Sequence, residues 1–163
     1  MIRIPHSLHQ AVASDLKRAH AFAFERVGFL FAAQGTTPNG QVLLAKEYMS
    51  ISDDLYLDMP SVGAAISGEA IRQALQRALR LGASAFHIHA HEGTGIPFPS
   101  RVDQQGYAKM IPSFSAIMPT VPHGAIILSD DNALGLTWLP GASQPTTMPI
   151  RIIGFPFGFW SSP

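Results

Sequence analysis

Between Ala85 and His91 the chain alternates without a break: His87, His89 and His91 fall on one parity, and Phe86, Ile88 and Ala90 on the other. A period of two belongs to an extended strand, whose successive side chains point to opposite faces. The segment therefore predicts a strand with one apolar face turned to a core and one face carrying three imidazoles. Neighbouring rings on that face would stand about 6.5 Å apart along the strand. Two of them can then meet on one ion where the strand end twists. A lone strand histidine is usually structural, but three in register mean that this face meets water or a ligand.

Composition limits what such a strand can belong to. A chain of 163 residues is about one domain long and can bury a sizeable core. Lys plus Arg equals Asp plus Glu at 11 each, so no net field draws in nucleic acid or an anionic membrane. There is no cysteine, which removes disulfides, thiol nucleophiles and thiolate metal sites. Any metal must be held by nitrogen and oxygen. The sequence has no long apolar run, and Met-Ile-Arg-Ile-Pro at its start lacks the regions of a signal peptide. A cytoplasmic protein without nucleic-acid or membrane partners is the expectation.

Read in order, Ile2 and Ile4 predict a short strand closed by Pro5, and Leu8, Ala11, Val12 and Leu16 a helix. The nearly all-apolar stretch Ala21 to Ala33 reads as a buried strand interrupted by Glu25 and Arg26. A strand over Gln41 to Tyr48 follows the turn at Thr36 to Gly40, making a hairpin. Ser67-Gly68-Glu69-Ala70 opens a second helix, with Ile71, Leu75, Ala78 and Leu79 as its apolar stripe and Gly82 as its stop. Beyond Asp103 a short helix weakened by Gly106 is expected, then an extended Ser113 to Met118. Ala125 to Ser129 and Ala133 to Trp138 predict a hairpin across Asp130-Asp131-Asn132, and Ile150 to Ile153 a last strand. The aromatic tail Phe155 to Trp160 reads either as a partner patch or as a segment folded over the core. The whole predicts one α/β domain with a mixed or mainly antiparallel sheet.

After the histidine strand, Gly93, Gly95, Pro97 and Pro99 turn the chain back toward Ser100 and Asp103. Ser100-x-x-Asp103 before a helix is a capping box, and Asp103 is equally a candidate third ligand. Glu25 stands in apolar surroundings that make a carboxylate costly without a partner, either Arg26, a helix arginine or a functional site. Two imidazoles and one carboxylate hold Zn²⁺ with one position open for water, the composition of a catalytic site. His6, His9, His20 and His123 are scattered and carry no assignment.

Together, Glu25-Arg26-Val27-Gly28-Phe29-Leu30, His89-Ala90-His91 and Ser100-Arg101-Val102-Asp103 resemble the JAB/MPN domain of the JAMM metalloproteases. That family shows a glutamate with a following glycine and apolar strand, then His-x-His, a Pro/Gly-rich loop and Ser-x-x-Asp. The likeness covers most of the chain. It implies an α+β, cytidine-deaminase-like domain spanning residues 1–163, with a mixed, mainly antiparallel sheet flanked by helices. It implies zinc on His89, His91 and Asp103, with His87 in support; a shifted register would use His87 and His89 instead. Glu25 would be the general acid–base and Ser100 a donor to the oxyanion. The substrate implied is an isopeptide or peptide bond after the C-terminus of ubiquitin or a ubiquitin-like protein. E1-like and E2-like proteins of the same system are possible partners, and the loop Glu92 to Pro99 is the expected path of the substrate strand. Two other readings stand beside this one: a non-catalytic MPN scaffold, and a RadC-like protein acting around DNA. Pro99-Ser100-Arg101-x-Asp103 carries the RadC likeness, although the balanced charge gives it no support.

Overall fold

A computed structural model describes every residue except Phe22, Asn39, Pro60, 155–157 and 161–163, with 158–160 described in backbone alone. Ile2 and Ile4 bury one parity of β1 (Ile2–Pro5), and Pro5, at φ −57°, leads directly into α1 (His6–Leu16). The hairpin of β2 (Val27–Thr37) and β3 (Gly40–Ser50) follows, then a single 3-10 turn at Asp53–Leu55. Helix α2 (Gly68–Leu81) leads to β4 (Ser84–Ala90), the histidine strand. Helix α3 (Arg101–Ile117) crosses over to β5 (His123–Leu128), which turns into β6 (Ala133–Trp138). Three short strands close the chain, β7 (Thr146–Thr147), β8 (Ile150–Ile153) and β9 (Gly158–Trp160).

The nine strands among the described residues join one sheet in the order β7-β6-β5-β4-β2-β3-β1-β8-β9. The pairs β1–β3, β1–β8 and β4–β5 are parallel and the others antiparallel, so the sheet is mixed and mainly antiparallel. One face packs Leu30, Phe86, Ile88 and Ile126 against Val12 and Leu16 of α1. The other packs Phe29, Phe31, Ala85 and Ala125 against α2 and α3. The alternation of β4 divides its residues between the two faces as expected, and its histidines lie on the side of α2 and α3.

Three elements differ from the sequence reading. The strand expected from Ala21 begins at Val27, because Arg26 is buried and needs partners that a strand cannot supply. Its guanidinium donates to the carbonyls of Arg18 and Ala19 at 2.8 and 2.9 Å and to Asp53 at 2.8 Å. It thereby satisfies acceptors just beyond the end of α1.

Helix α2 keeps its expected caps: Ser67 accepts from the Ala70 amide at 3.3 Å, and Gly82 takes the left-handed conformation at φ 58°. Its buried stripe, however, is Ala70, Ala74 and Ala78, while Leu79 is exposed. Alanines let the helix lie close on the sheet, and the larger side chains take the flanks.

Helix α3 runs straight through the stretch expected to be extended. Pro112 removes an amide from the helix and Gly106 weakens it, together about 4 kcal/mol. Against that, Tyr107, Met110, Ile111 and Phe114 are all buried on one stripe, each worth roughly 1.5–3 kcal/mol. Burial wins, and the helix continues to Ile117. The aromatic tail falls partly outside the described residues; of it, the backbone of Gly158 to Trp160 pairs with β8 as β9.

Candidate metal centre

The site is assembled by strand register and one crossover. β4 lies between β2 and β5, with Val27 opposite His89 on one side and Ile127 opposite His89 on the other. His91 lies just past the strand end, anchored by its amide to the Leu128 carbonyl at 2.9 Å. The chain then passes through Gly93 and Gly95, at φ 103° and 87°, conformations open to glycine. This loop is pinned to the turn between β5 and β6. Asp130 N donates to Gly93 O at 2.9 Å, Gly95 N to Asp131 at 2.7 Å, and the Ser129 hydroxyl to Gly95 O at 2.7 Å. Fastened in this way, the loop delivers the N-terminus of α3 to the C-terminal end of β4.

There the capping box forms in full. The Ser100 hydroxyl accepts from the Asp103 amide at 3.1 Å, and the Asp103 carboxylate accepts from the Ser100 amide at 2.7 Å. Capping does not compete with the other role expected of Asp103. Its Oδ1 lies 3.3 Å from His89 Nε2 and its Oδ2 lies 3.4 Å from His91 Nε2. The two Nε2 atoms are 3.1 Å apart. Four ligands at 2.0–2.1 Å around a tetrahedral ion stand about 3.3 Å from one another; the two imidazoles keep about that spacing, and each faces its own oxygen of the Asp103 carboxylate at a similar distance.

Glu25 approaches from the segment before β2. A ligand atom each from Glu25, His89 and His91 lie within 4.8 Å of one another, a group fit to hold a metal ion. The carboxylate is placed by the segment 61–66, since the amides of Phe24 and Glu25 donate to the Gly63 carbonyl at 2.8 and 3.0 Å. A Cβ on Gly63 would come 2.8 Å from the Glu25 carboxyl carbon, so a side chain there would displace the carboxylate. Arg26, once a candidate partner for Glu25, pairs with Asp53.

His87 sits deeper on the same face. Its ring contacts His89 at 5.4 Å and meets Phe29 and Tyr107 edge-on at 5.6 and 6.1 Å. Burial, reinforced by His89, lowers its pKa to about 3, so it is a neutral imidazole under ordinary conditions. The converging pair is thus His89 and His91, with His87 packed behind. Burial alone would push the Asp103 carboxyl up, but His89 and the Ser100 cap hold it well below the usual carboxylate range. The carboxylate is therefore ionised and ready to ligate.

These groups line a groove of about 640 Å³. One wall is formed by Leu57, Met59 and residues 61–66 and the other is the face of α3 carrying Val102, Gly106 and Met110. The groove does not follow the loop Glu92 to Pro99, which the sequence reading made the path of a substrate strand. Gly93 and Gly95 of that loop are hydrogen-bonded to the β5–β6 turn. A larger cavity of about 780 Å³ lies on the far side of α3, beside Trp138 and Pro145, and holds none of the histidines or carboxylates. The candidate ligating groups line the smaller one.

The sequence reading missed Gly63 and Tyr107. Nothing periodic marks the wall segment, and Gly63 touches the site only through contacts made distant in sequence. Tyr107 had a signal, four residues after Asp103 and so on the same side of a helix, which the expectation of a short helix concealed. His123 proves structural: its Nδ1 accepts from the Ala85 amide at 3.1 Å, and its Nε2 lies 3.0 Å from the Met118 carbonyl. No protein-family model and no curated protein matches the chain.

Proposed function

We propose that this chain is a zinc-dependent amide hydrolase of the JAMM type. Its proposed substrate is the peptide or isopeptide bond after the C-terminal tail of a ubiquitin-like protein. The observation that carries the reading is the convergence of His89, His91 and Asp103 at 3.1–3.4 Å with the Glu25 carboxylate beside them. A structural zinc site closes all four positions with protein ligands, whereas three ligands and a neighbouring acid–base group leave one open.

His89 and His91 would hold the ion through Nε2, and Asp103 through its carboxylate. When bound, zinc supplies a Lewis acid that lowers the pKa of water from about 15.7 toward about 7. Glu25 takes the proton of the attacking water at its carboxylate and passes it to the nitrogen of the leaving amine. The Ser100 oxygen accepts from the Asp103 amide, which leaves the hydroxyl proton to donate to the carbonyl oxygen of the bond being cut. His87, neutral and packed beside His89, fixes the position of that ring.

The shape of the groove supports the substrate class. Gly63, Ala64 and Ala65 line one wall and Gly106 the other, so a flexible tail of small residues fits where a folded chain does not. Leu57, Met59 and Val102 are exposed along its rim, an apolar surface suited to the folded body that carries the tail.

The test is to incubate the zinc-loaded protein with a ubiquitin-like protein bearing a C-terminal extension, alongside casein, and to map products by mass spectrometry. Cleavage immediately after the tail, with casein intact, is the expected result. Equal digestion of both, or cuts at scattered internal sites, would remove the deconjugase reading. No cleavage of any amide by zinc-loaded protein would favour the non-catalytic scaffold.

A further inference from the structure

We propose that the Tyr107 hydroxyl belongs to this site as a hydrogen-bond donor to a carbonyl oxygen of the bound substrate. The reaction it serves rests on the amide-hydrolase reading above, but the assignment of the residue rests on its own observations.

Tyr107 lies on α3 one turn beyond Asp103, is 3 % exposed and lines the groove. Its ring is held edge-on by His87 at 6.1 Å and Trp138 at 6.0 Å. A phenylalanine would meet those packing demands equally well. Yet the side chain carries a hydroxyl whose oxygen is buried and finds no hydrogen-bond partner among the described residues. Buried tyrosine hydroxyls ordinarily have a partner, because leaving one unmade is costly. The nearby groups of the site are already committed. Asp103 uses its oxygens on the Ser100 amide and toward the two histidines, and Ser100 accepts from the Asp103 amide.

The hydroxyl is also chemically suited to donate. Burial first, then the Asp103 and Glu25 charges, push its pKa upward, so it keeps its proton at any working pH. Both carboxylates of the site are thus within electrostatic reach of it. A neutral donor on a residue that lines the groove has one natural acceptor in amide hydrolysis, the carbonyl oxygen that gains negative charge as the carbon becomes tetrahedral. Tyr107 gives a hydrogen bond there and retains its proton, so the proton balance between water, Glu25 and the leaving amine is unchanged. It would share the task with Ser100, from the opposite side of Asp103 along α3.

The test is Tyr107→Phe in the zinc-loaded protein, read four ways. Zinc content and melting temperature should match the parent or exceed it, since the hydroxyl has no partner among the described residues to lose. With the extended ubiquitin-like substrate, kcat should fall about 10²–10³-fold, the usual effect of losing one oxyanion donor, while KM stays within about threefold. The fourth reading needs no turnover: a phosphinate analogue of Gly-Gly, whose tetrahedral oxygens mimic the charged carbonyl, should bind at least about tenfold more weakly. An unchanged kcat with unchanged phosphinate affinity overturns the proposal, and so does a lowered melting temperature with full activity. Tyr107 also borders the larger cavity, and donation into that space predicts the unchanged phosphinate affinity. If the parent cleaves no amide, the proposed function fails by itself, and the phosphinate comparison still decides the role of Tyr107.

Discussion

Val27 pairs with His89 at the end of the β2–β4 ladder, and Glu25, two residues before Val27, brings a ligand atom within 4.8 Å of those of His89 and His91. Beyond that pair the two chains leave the ladder, the Glu25 amide donating to the Gly63 carbonyl at 3.0 Å and the His91 amide to the Leu128 carbonyl at 2.9 Å. The Glu25 carboxylate and the two imidazoles are brought together from positions far apart in the chain. Asp103 arrives by another route, the parallel crossover β4–α3–β5, which returns the N-terminus of a helix to the end of the strand it follows.

The hold on Glu25 makes Gly63 a sharp test. A methyl group there would lie 2.8 Å from the carboxyl carbon of Glu25, the mobile end of a flexible side chain. Gly63→Ala should therefore cost little stability, within about 1 kcal/mol, since the side chain can swing aside. It should retain zinc while losing at least about tenfold in kcat, because a displaced carboxylate no longer reaches the water. Full activity in this variant would show that the carboxylate works from some other position.

Two glycines should respond in opposite directions. A methyl on Gly28 would lie 2.4 Å from the Tyr48 ring, which is held in place by a 2.6 Å bond from its hydroxyl to Asp15. Gly28→Ala should lose about 1–3 kcal/mol in urea unfolding. Gly106, inside α3, has nothing within 4 Å of the added carbon. Gly106→Ala should gain about 0.5–1 kcal/mol from helix propensity. A Gly28→Ala protein as stable as the parent would contradict the close packing of Tyr48 against β2.

Glu25→Gln separates binding from catalysis. The amide keeps the shape of the side chain and its place against Gly63 but cannot accept the proton. The variant should stay folded and rates should fall by about 10² to 10⁴. Parent-like turnover would take Glu25 out of the mechanism.

The parts of this fold legible in the sequence are those fixed by local period and capping. The alternation at Ala85 to His91, the hairpin at Asp130 to Asn132, and the caps Ser67 and Gly82 each carry their own signal. What was not legible depends on contacts between distant segments. Arg26 ends the strand reading because its partners are the carbonyls of Arg18 and Ala19 and the carboxylate of Asp53. The stripe of α2 was read as Ile71, Leu75, Ala78 and Leu79, of which only Ala78 is fully buried; closeness to the sheet selects Ala70 and Ala74 beside it. Gly106 and Pro112 suggested a broken helix, and only the burial of Tyr107, Met110, Ile111 and Phe114 against the sheet overrides them. The candidate site follows the same division. Its histidines and the Ser100-x-x-Asp103 cap announce themselves locally, while the wall that holds Glu25 and the groove along α3 emerge from tertiary packing.

The most direct measurement is zinc stoichiometry across four variants, by elemental analysis after reconstitution and removal of free metal. The parent should bind about one ion per chain, and so should Glu25→Gln, since Glu25 is assigned to the water and not to the ion. His91→Ala and Asp103→Ala should each lose it, and His87→Ala should only weaken it by loosening the packing of His89. The account is contradicted if folded parent protein takes up no zinc, or if Asp103→Ala keeps the ion while Glu25→Gln loses it. That second pattern would make Glu25, His89 and His91 the ligands and leave the reaction without its proposed acid–base group.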